Sequence, residues 1–231
     1  MDVEALYIQS IPALVWGKAS QKVYLYIHGQ EGCKEEARLF ASVAIRRGWQ
    51  VLSVDLPEHG ERKGESDSFY PWKIVPELGS VMEYAKHRWN KIGLFASSIG
   101  AWFSMLSFKQ EHLEQGMFVS PVVDMKQLIE TMMDWAGVSP ERLRREQVIA
   151  ASFGQTLSWQ YREYAEENRI SQWQTPTCVL YAGKDNLVGR ETVQAFAQKF
   201  NAVLTIWEEG EHWFHTEAQL DVLRRWIEQH L

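Results

Sequence analysis

Apolar residues in this chain fall into short runs that alternate with stretches of helical spacing. The strand-like runs are residues 23–27, 50–54, 92–95, 117–119, 177–181 and 203–207. Most are apolar throughout rather than at every second position, as expected of strands covered on both faces. Between the first two runs, Ala37, Phe40, Val43 and Ala44 recur at helical spacing, and Gly48 stands where such a helix would close. Leu78, Met82, Ala85 and Trp89 repeat the pattern ahead of the third run, and Val193, Phe196, Ala197 and Phe200 do so ahead of the last. Thr216 and Gln219 make a capping-box pattern that opens a final helix carrying Leu220, Leu223, Trp226 and Ile227. The rhythm predicts a single α/β domain over residues 1–231, with a mostly parallel central sheet and crossover helices on both faces. The first 20 residues are expected to add an antiparallel pair at one edge.

The rhythm stops between Ser120 and Gln174, where helical patterns continue without a convincing strand. This stretch, about 121–174, is expected to form a helical cap. It holds Met125, Met132, Met133, Trp135, Phe153, Trp159 and Trp173. Two readings stand for these residues. They are either the buried faces of packed helices or the lining of a substrate pocket, for which Met132, Trp135 and Trp159 are the candidates.

Composition narrows the function classes. The net charge of −6 is spread along the chain, and no Lys or Arg run is long enough to follow a phosphate backbone, so no nucleic-acid partner is expected. Met1-Asp2-Val3-Glu4 lacks the basic and apolar segments of a secretory signal, and no apolar run reaches membrane-spanning length. A soluble, cytoplasmic protein without a membrane partner is therefore predicted. Cys33 and Cys178 are too few for a disulfide framework and have no metal-ligand spacing. Oligomeric state is left open.

The chemistry gathers at the ends of the predicted strands. Ile92-Gly93-Leu94-Phe95 runs into Ala96-Ser97-Ser98-Ile99-Gly100 and then into an apolar helix. A serine at a helix start is often only a cap. The strand before and the helix after this one, however, resemble the nucleophile elbow of the α/β-hydrolase superfamily of serine esterases and lipases. The resemblance implies Ser98 as nucleophile, with Ala96 in place of the more usual first glycine. It extends to Asp185, in the loop Gly183-Lys184-Asp185-Asn186 after a strand, as the acid. It extends also to His212, in Gly210-Glu211-His212-Trp213 ahead of the last helix, as the base. His215 competes for the base position, and Glu208 and Glu209 for the acid.

Tyr26-Ile27-His28-Gly29-Gln30 resembles the family's His-Gly segment, which implies an oxyanion hole built from the backbone N–H groups of Gln30 and Ile99. Asp55-Leu56-Pro57-Glu58-His59-Gly60 resembles a loop whose Asp and His are expected to organise backbone groups rather than react. Cys33 lies outside any elbow. No phosphate loop, complete dinucleotide fingerprint or metal-ligand cluster is apparent, so no cofactor or metal is predicted. The resemblance implies a carboxylesterase-like hydrolase acting on a small-molecule ester or thioester. Peptides and lactones are served by the same machinery, and a catalytically silent binding protein is the rival from another class. Such a protein would usually lack a triad member, and none is missing here.

Overall fold

The computed structural model describes residues 1–231. Its strands are β1 (Val3–Ile8), β2 (Ile11–Trp16), β3 (Lys22–Ile27), β4 (Gln50–Val54), β5 (Lys91–Ser97), β6 (Gly116–Val119), β7 (Val148–Ala150), β8 (Thr156–Ser158), β9 (Thr177–Ala182) and β10 (Val203–Trp207). Eight of them form one sheet in the order β1-β2-β4-β3-β5-β6-β9-β10. β1 and β2 are the expected antiparallel edge pair, and β2 also runs antiparallel to β4. Every other neighbour is parallel.

The parallel strands read as continuous apolar runs because both faces are covered. In β3, Val23, Leu25 and Ile27 join one core with Leu94 and Ala96 of β5, while Tyr24 and Tyr26 join the other with Phe95. The first face is covered by α2 (Pro71–Arg88), α3 (Ile99–Ser107) and α7 (Arg190–Phe200), and the second by α1 (Arg38–Ala44) and α8 (Glu217–His230). On the second face Tyr26 stacks on Phe95 at 5.1 Å, and Phe40 of α1 lies 4.5 Å from Phe95. Burying side chains of this size contributes about 1.5–3 kcal/mol each. Thr216 caps α8 through the full capping box with Gln219.

From β3 the chain crosses first to β4 on one side and later to β5 on the other. That reversal makes the carboxyl ends of β3 and β5 the topological switch point, the place where ligands of open α/β sheets bind.

Residues 120–176 fold as α4 (Met125–Ala136), α5 (Pro140–Glu146), the β7–β8 hairpin and α6 (Trp159–Glu167). Asp124, Ser139 and Ser158 cap the three helices with their side chains. Leu128, Met133, Leu143, Leu157 and Ala165 bury the inner faces against the core. The hairpin departs from the all-helical expectation, because three-residue strands are too short to carry a period-two signal. Trp173 is buried beside Phe118 and donates its Nε1–H to Thr177 Oγ1 at 2.8 Å, so it belongs to the sheet core. No helix is long and apolar enough to cross a membrane.

Candidate active site

Ser98 stands between β5 and α3 at φ 49° and ψ −126°, a backbone region that non-glycine residues avoid. Three backbone bonds hold it there. Its N–H donates to the Val119 carbonyl at 3.0 Å, and its own carbonyl accepts from Ala101 N–H at 3.1 Å and Val122 N–H at 3.0 Å. The turn also depends on Gly100, where a Cβ would come within 2.3 Å of the His28 carbonyl oxygen. Helix α3 therefore starts directly under the β3 loop.

The Ser98 hydroxyl lies 2.8 Å from His212 Nε2, and His212 Nδ1 lies 2.7 Å from Asp185 Oδ2. A carboxylate only accepts, so the Nδ1 proton sits between His212 and Asp185, and Nε2 is left as the acceptor for the Ser98 O–H. The other carboxylate oxygen of Asp185 accepts from Leu187 N–H at 2.8 Å and Val188 N–H at 3.0 Å. The Asp185 side chain is fully buried while His212 keeps 14% of its side chain exposed, so the chain of bonds runs from the interior to a reachable surface.

The loops bearing Asp185 and His212 are sewn together through main chain. Gly183 N–H donates to the Trp207 carbonyl and Lys184 N–H to the Gly210 carbonyl, both at 2.8 Å. A Cβ on Gly183 would meet the Glu208 backbone at 2.5 Å, so only glycine allows this approach.

The competitors sit elsewhere. His215 Nδ1 bonds the Trp213 carbonyl at 2.9 Å, and its ring stacks on the exposed Trp213. Glu208 pairs with Arg190 and Glu209 with Lys184.

Gln30 lies three residues after β3 and Ile99 directly after Ser98, and since β3 and β5 are parallel neighbours both residues belong to turns at the same end of the sheet. Gln30 N–H donates to no protein group, and Ile99 is the first residue of α3, so its N–H has no intrahelical acceptor. His28 is fully buried: Nδ1–H donates to the Gly29 carbonyl at 2.6 Å and Nε2 accepts from Leu56 N–H at 3.0 Å. Burial, helped by the neighbouring His59, lowers its pKa to about 4 against the backbone bond to Gly29, so the ring is neutral.

Asp55 and His59 bind backbone groups, as expected. Asp55 accepts from Lys34 N–H at 2.8 Å and Glu61 N–H at 3.0 Å, and His59 Nε2 accepts from Glu31 N–H at 2.8 Å.

Sequence reading missed two buried cations. Lys34, 2% exposed, pairs with Asp55 at 2.7 Å and Glu61 at 2.8 Å. Burial pushes the Asp55 carboxyl upward, but the Lys34 ammonium and the two amides outweigh it and hold the carboxyl below its ordinary value. Arg62 binds Glu65 and Glu77 in the same way. A charge in the sequence ordinarily means surface, so neither gave a signal.

The proposed pocket residues are not brought together. Trp135 is half exposed and meets Phe153 edge-on at 6.0 Å, and Phe153 belongs to the β7–β8 turn. That turn reaches the β3 loop, where the Gln30 side chain donates to Gln155 at 3.0 Å. Trp159 instead sits at the base of the hairpin, with the guanidinium groups of Arg144 and Arg162 at 5.9 and 5.2 Å from its ring. Met132 is half buried against the core. Phe153, named with the insertion's aromatics but not among the pocket candidates, and Gln155, which the sequence did not single out, are thus the residues of the β7–β8 turn that lie nearest the β3 loop and Trp135.

No protein-family model and no curated protein sequence matches the chain. Solved structures do. The chain is similar to Est1E from Butyrivibrio proteoclasticus with bound ferulic acid (20% identity, TM-score 0.76, covering 98% of this chain and 96% of that one). It is similar also to α/β hydrolase domain-containing protein 10 from mouse (12%, 0.75, 99% and 98%) and to an esterase from Pyrococcus furiosus (16%, 0.69, 99% and 87%).

Proposed function

Starting from a chain that has the α/β-hydrolase fold, we propose that it is a serine hydrolase cleaving a carboxylic ester through an acyl-enzyme. The observation that carries this reading is the unbroken hydrogen-bond chain from Ser98 through His212 to buried Asp185. In the first half-reaction His212 Nε2 takes the Ser98 proton as Oγ attacks the ester carbonyl, and the Gln30 and Ile99 amides receive the charge on oxygen. Each such donor is worth about 10²–10³ in rate. The C–O bond to the alcohol then breaks, His212 returns the proton to the leaving oxygen, and water repeats the sequence on the acyl-Ser98 bond. Structures similar to the chain include ones named esterase and one named a thioesterase domain, and we place ester first because an alkoxide leaving group makes few demands on the site, with thioester, peptide and lactone substrates served by the same groups. In this reading the segment from about 121 to 174 is a cap, and the Trp135–Phe153 pair borders the acyl or alcohol site.

A fluorophosphonate probe combined with an ester and thioester panel graded by acyl length tests the proposal. Ser98→Ala is expected to abolish both labelling and hydrolysis, whereas Ser97→Ala retains them. A wild-type protein that takes no label, or one labelled on Ser97, overturns it.

A further inference from the structure

The β3 loop turns on two adjacent peptide planes. Gly32 N–H closes on the Gly29 carbonyl at 3.2 Å, which puts Gln30 and Glu31 in the middle of a tight turn. The Gly29 carbonyl and the Gln30 N–H belong to one trans peptide, so they point in opposite directions, and the His28 bond to that carbonyl aims the Gln30 N–H. The second plane is held from outside the loop. Glu31 N–H donates to His59 Nε2 at 2.8 Å, and His59 Nδ1–H donates to the Pro57 carbonyl at 2.7 Å, which fixes the tautomer. The His59 ring cannot swing away, because it is buried with Phe69 at 4.6 Å and His28 at 5.2 Å. Glu31 itself has φ 62°, a region that side chains other than Asn, Asp and Gly leave readily when nothing holds them.

We propose that His59 is a positioning residue for the oxyanion donor. By holding the Glu31 N–H, it stops the turn from rotating and keeps the Gln30 N–H directed at the oxygen on the acyl carbon. A rotated turn presents a carbonyl oxygen to the developing negative charge in place of a donor. His59 makes no hydrogen bond to Ser98, Asp185 or His212, so the proposal routes its effect through the backbone of the loop. The inference rests on the serine-hydrolase reading.

The test compares His59→Ala and His59→Gln with wild type, each normalised to the number of sites labelled at completion by a fluorophosphonate. His59→Ala is expected to lose about ten- to a hundred-fold in kcat with KM within about two-fold, less than outright removal of a donor. Affinity for an alkyl boronic acid, which mimics the tetrahedral oxyanion, should fall in parallel. His59→Gln places an amide oxygen where Nε2 was, and should recover most of both. Wild-type kcat per labelled site in His59→Ala, or a loss in KM alone, overturns the proposal. Should His59→Ala fail to fold, nitrogen-15 chemical shifts of the wild-type protein decide. The proposal requires the Nδ1–H tautomer of His59, and an Nε2–H tautomer refutes it. Absence of labelling in wild type is a different result, and it refutes the hydrolase reading instead.

Discussion

Replacing Ser98 by glycine should leave a more stable protein than replacing it by alanine, the reverse of the usual order. Both substitutions remove the same hydroxyl and the same 2.8 Å bond to His212, so those losses cancel in the comparison. What differs is the Cβ. At φ 49° and ψ −126° a side chain is strained, at a cost of about 1–3 kcal/mol that glycine does not bear. Against this, glycine loses more backbone entropy on folding, about 0.5–1 kcal/mol relative to alanine. The difference leaves Ser98→Gly ahead by about 1 kcal/mol, or roughly 2–4 °C in Tm for a chain of this size. Urea unfolding of the two variants, with equal m-values, reads the difference directly. Neither variant should hydrolyse esters. If Ser98→Ala is the more stable by the ordinary 0.5–1 kcal/mol, the elbow is unstrained and the argument from its backbone fails.

Asp185→Asn should keep the fold and lose about 10⁴ in kcat, since an amide no longer enforces the Nδ1–H tautomer, while Glu208→Gln and Glu209→Gln stay near wild type. His212→Ala should lose several orders of magnitude in kcat with KM little changed, and His215→Ala should lose little; equal losses at the two histidines would contradict the bonding described. Because the folded His28 value is lowered to about 4 from 6.5, only the unfolded chain takes up this proton as pH falls below 6.5. Stability should therefore decline between 6.5 and 4 and level off below, by about 3 kcal/mol in total. Urea titrations should show a shallower decline over that window in His28→Gln, and an unchanged slope would assign the acid sensitivity elsewhere. In the proposed cap, Trp135→Ala and Phe153→Ala should shift acyl-chain preference in kcat/KM, whereas Trp159→Ala, at the hairpin base beside Arg144 and Arg162, should chiefly lower Tm; an unchanged substrate profile in the first two would make the tip structural.

What the sequence revealed and what it hid follow from the range of each interaction. The elbow was legible because its requirements are local: an apolar strand, small residues around Ser98, and a helix close behind. Asp185 and His212 were legible by position, each in a loop leaving a predicted strand. Local pattern did not separate His212 from His215, since both follow β10. The choice is made by where the loop turns, with His215 committed to the mouth of α8 through its N–H bond to Gln219. Least legible were the partners joined across loops. Lys34 and Arg62 look like surface charges until Asp55 and Glu77 are brought beside them, and the His59–Glu31 bond joins loops after two different strands.

These differences in range match differences in how firmly each part is held. Ser98, Asp185 and His212 stand on loops tied by main-chain bonds to the ends of β5, β6, β9 and β10, and the strain at Ser98 is confined between them. The β3 loop is tied by two imidazoles, His28 and His59, each of which accepts from one backbone N–H and pairs its Nδ1 with a backbone carbonyl. The hairpin tip meets that loop through one exposed amide pair, Gln30 with Gln155, a contact of about 0.5–1.5 kcal/mol. Loss of that pair costs little relative to the bonds around Ser98. On the proposed serine-hydrolase reading, the tip can therefore be altered without disturbing the bonds that align Ser98, His212 and Asp185.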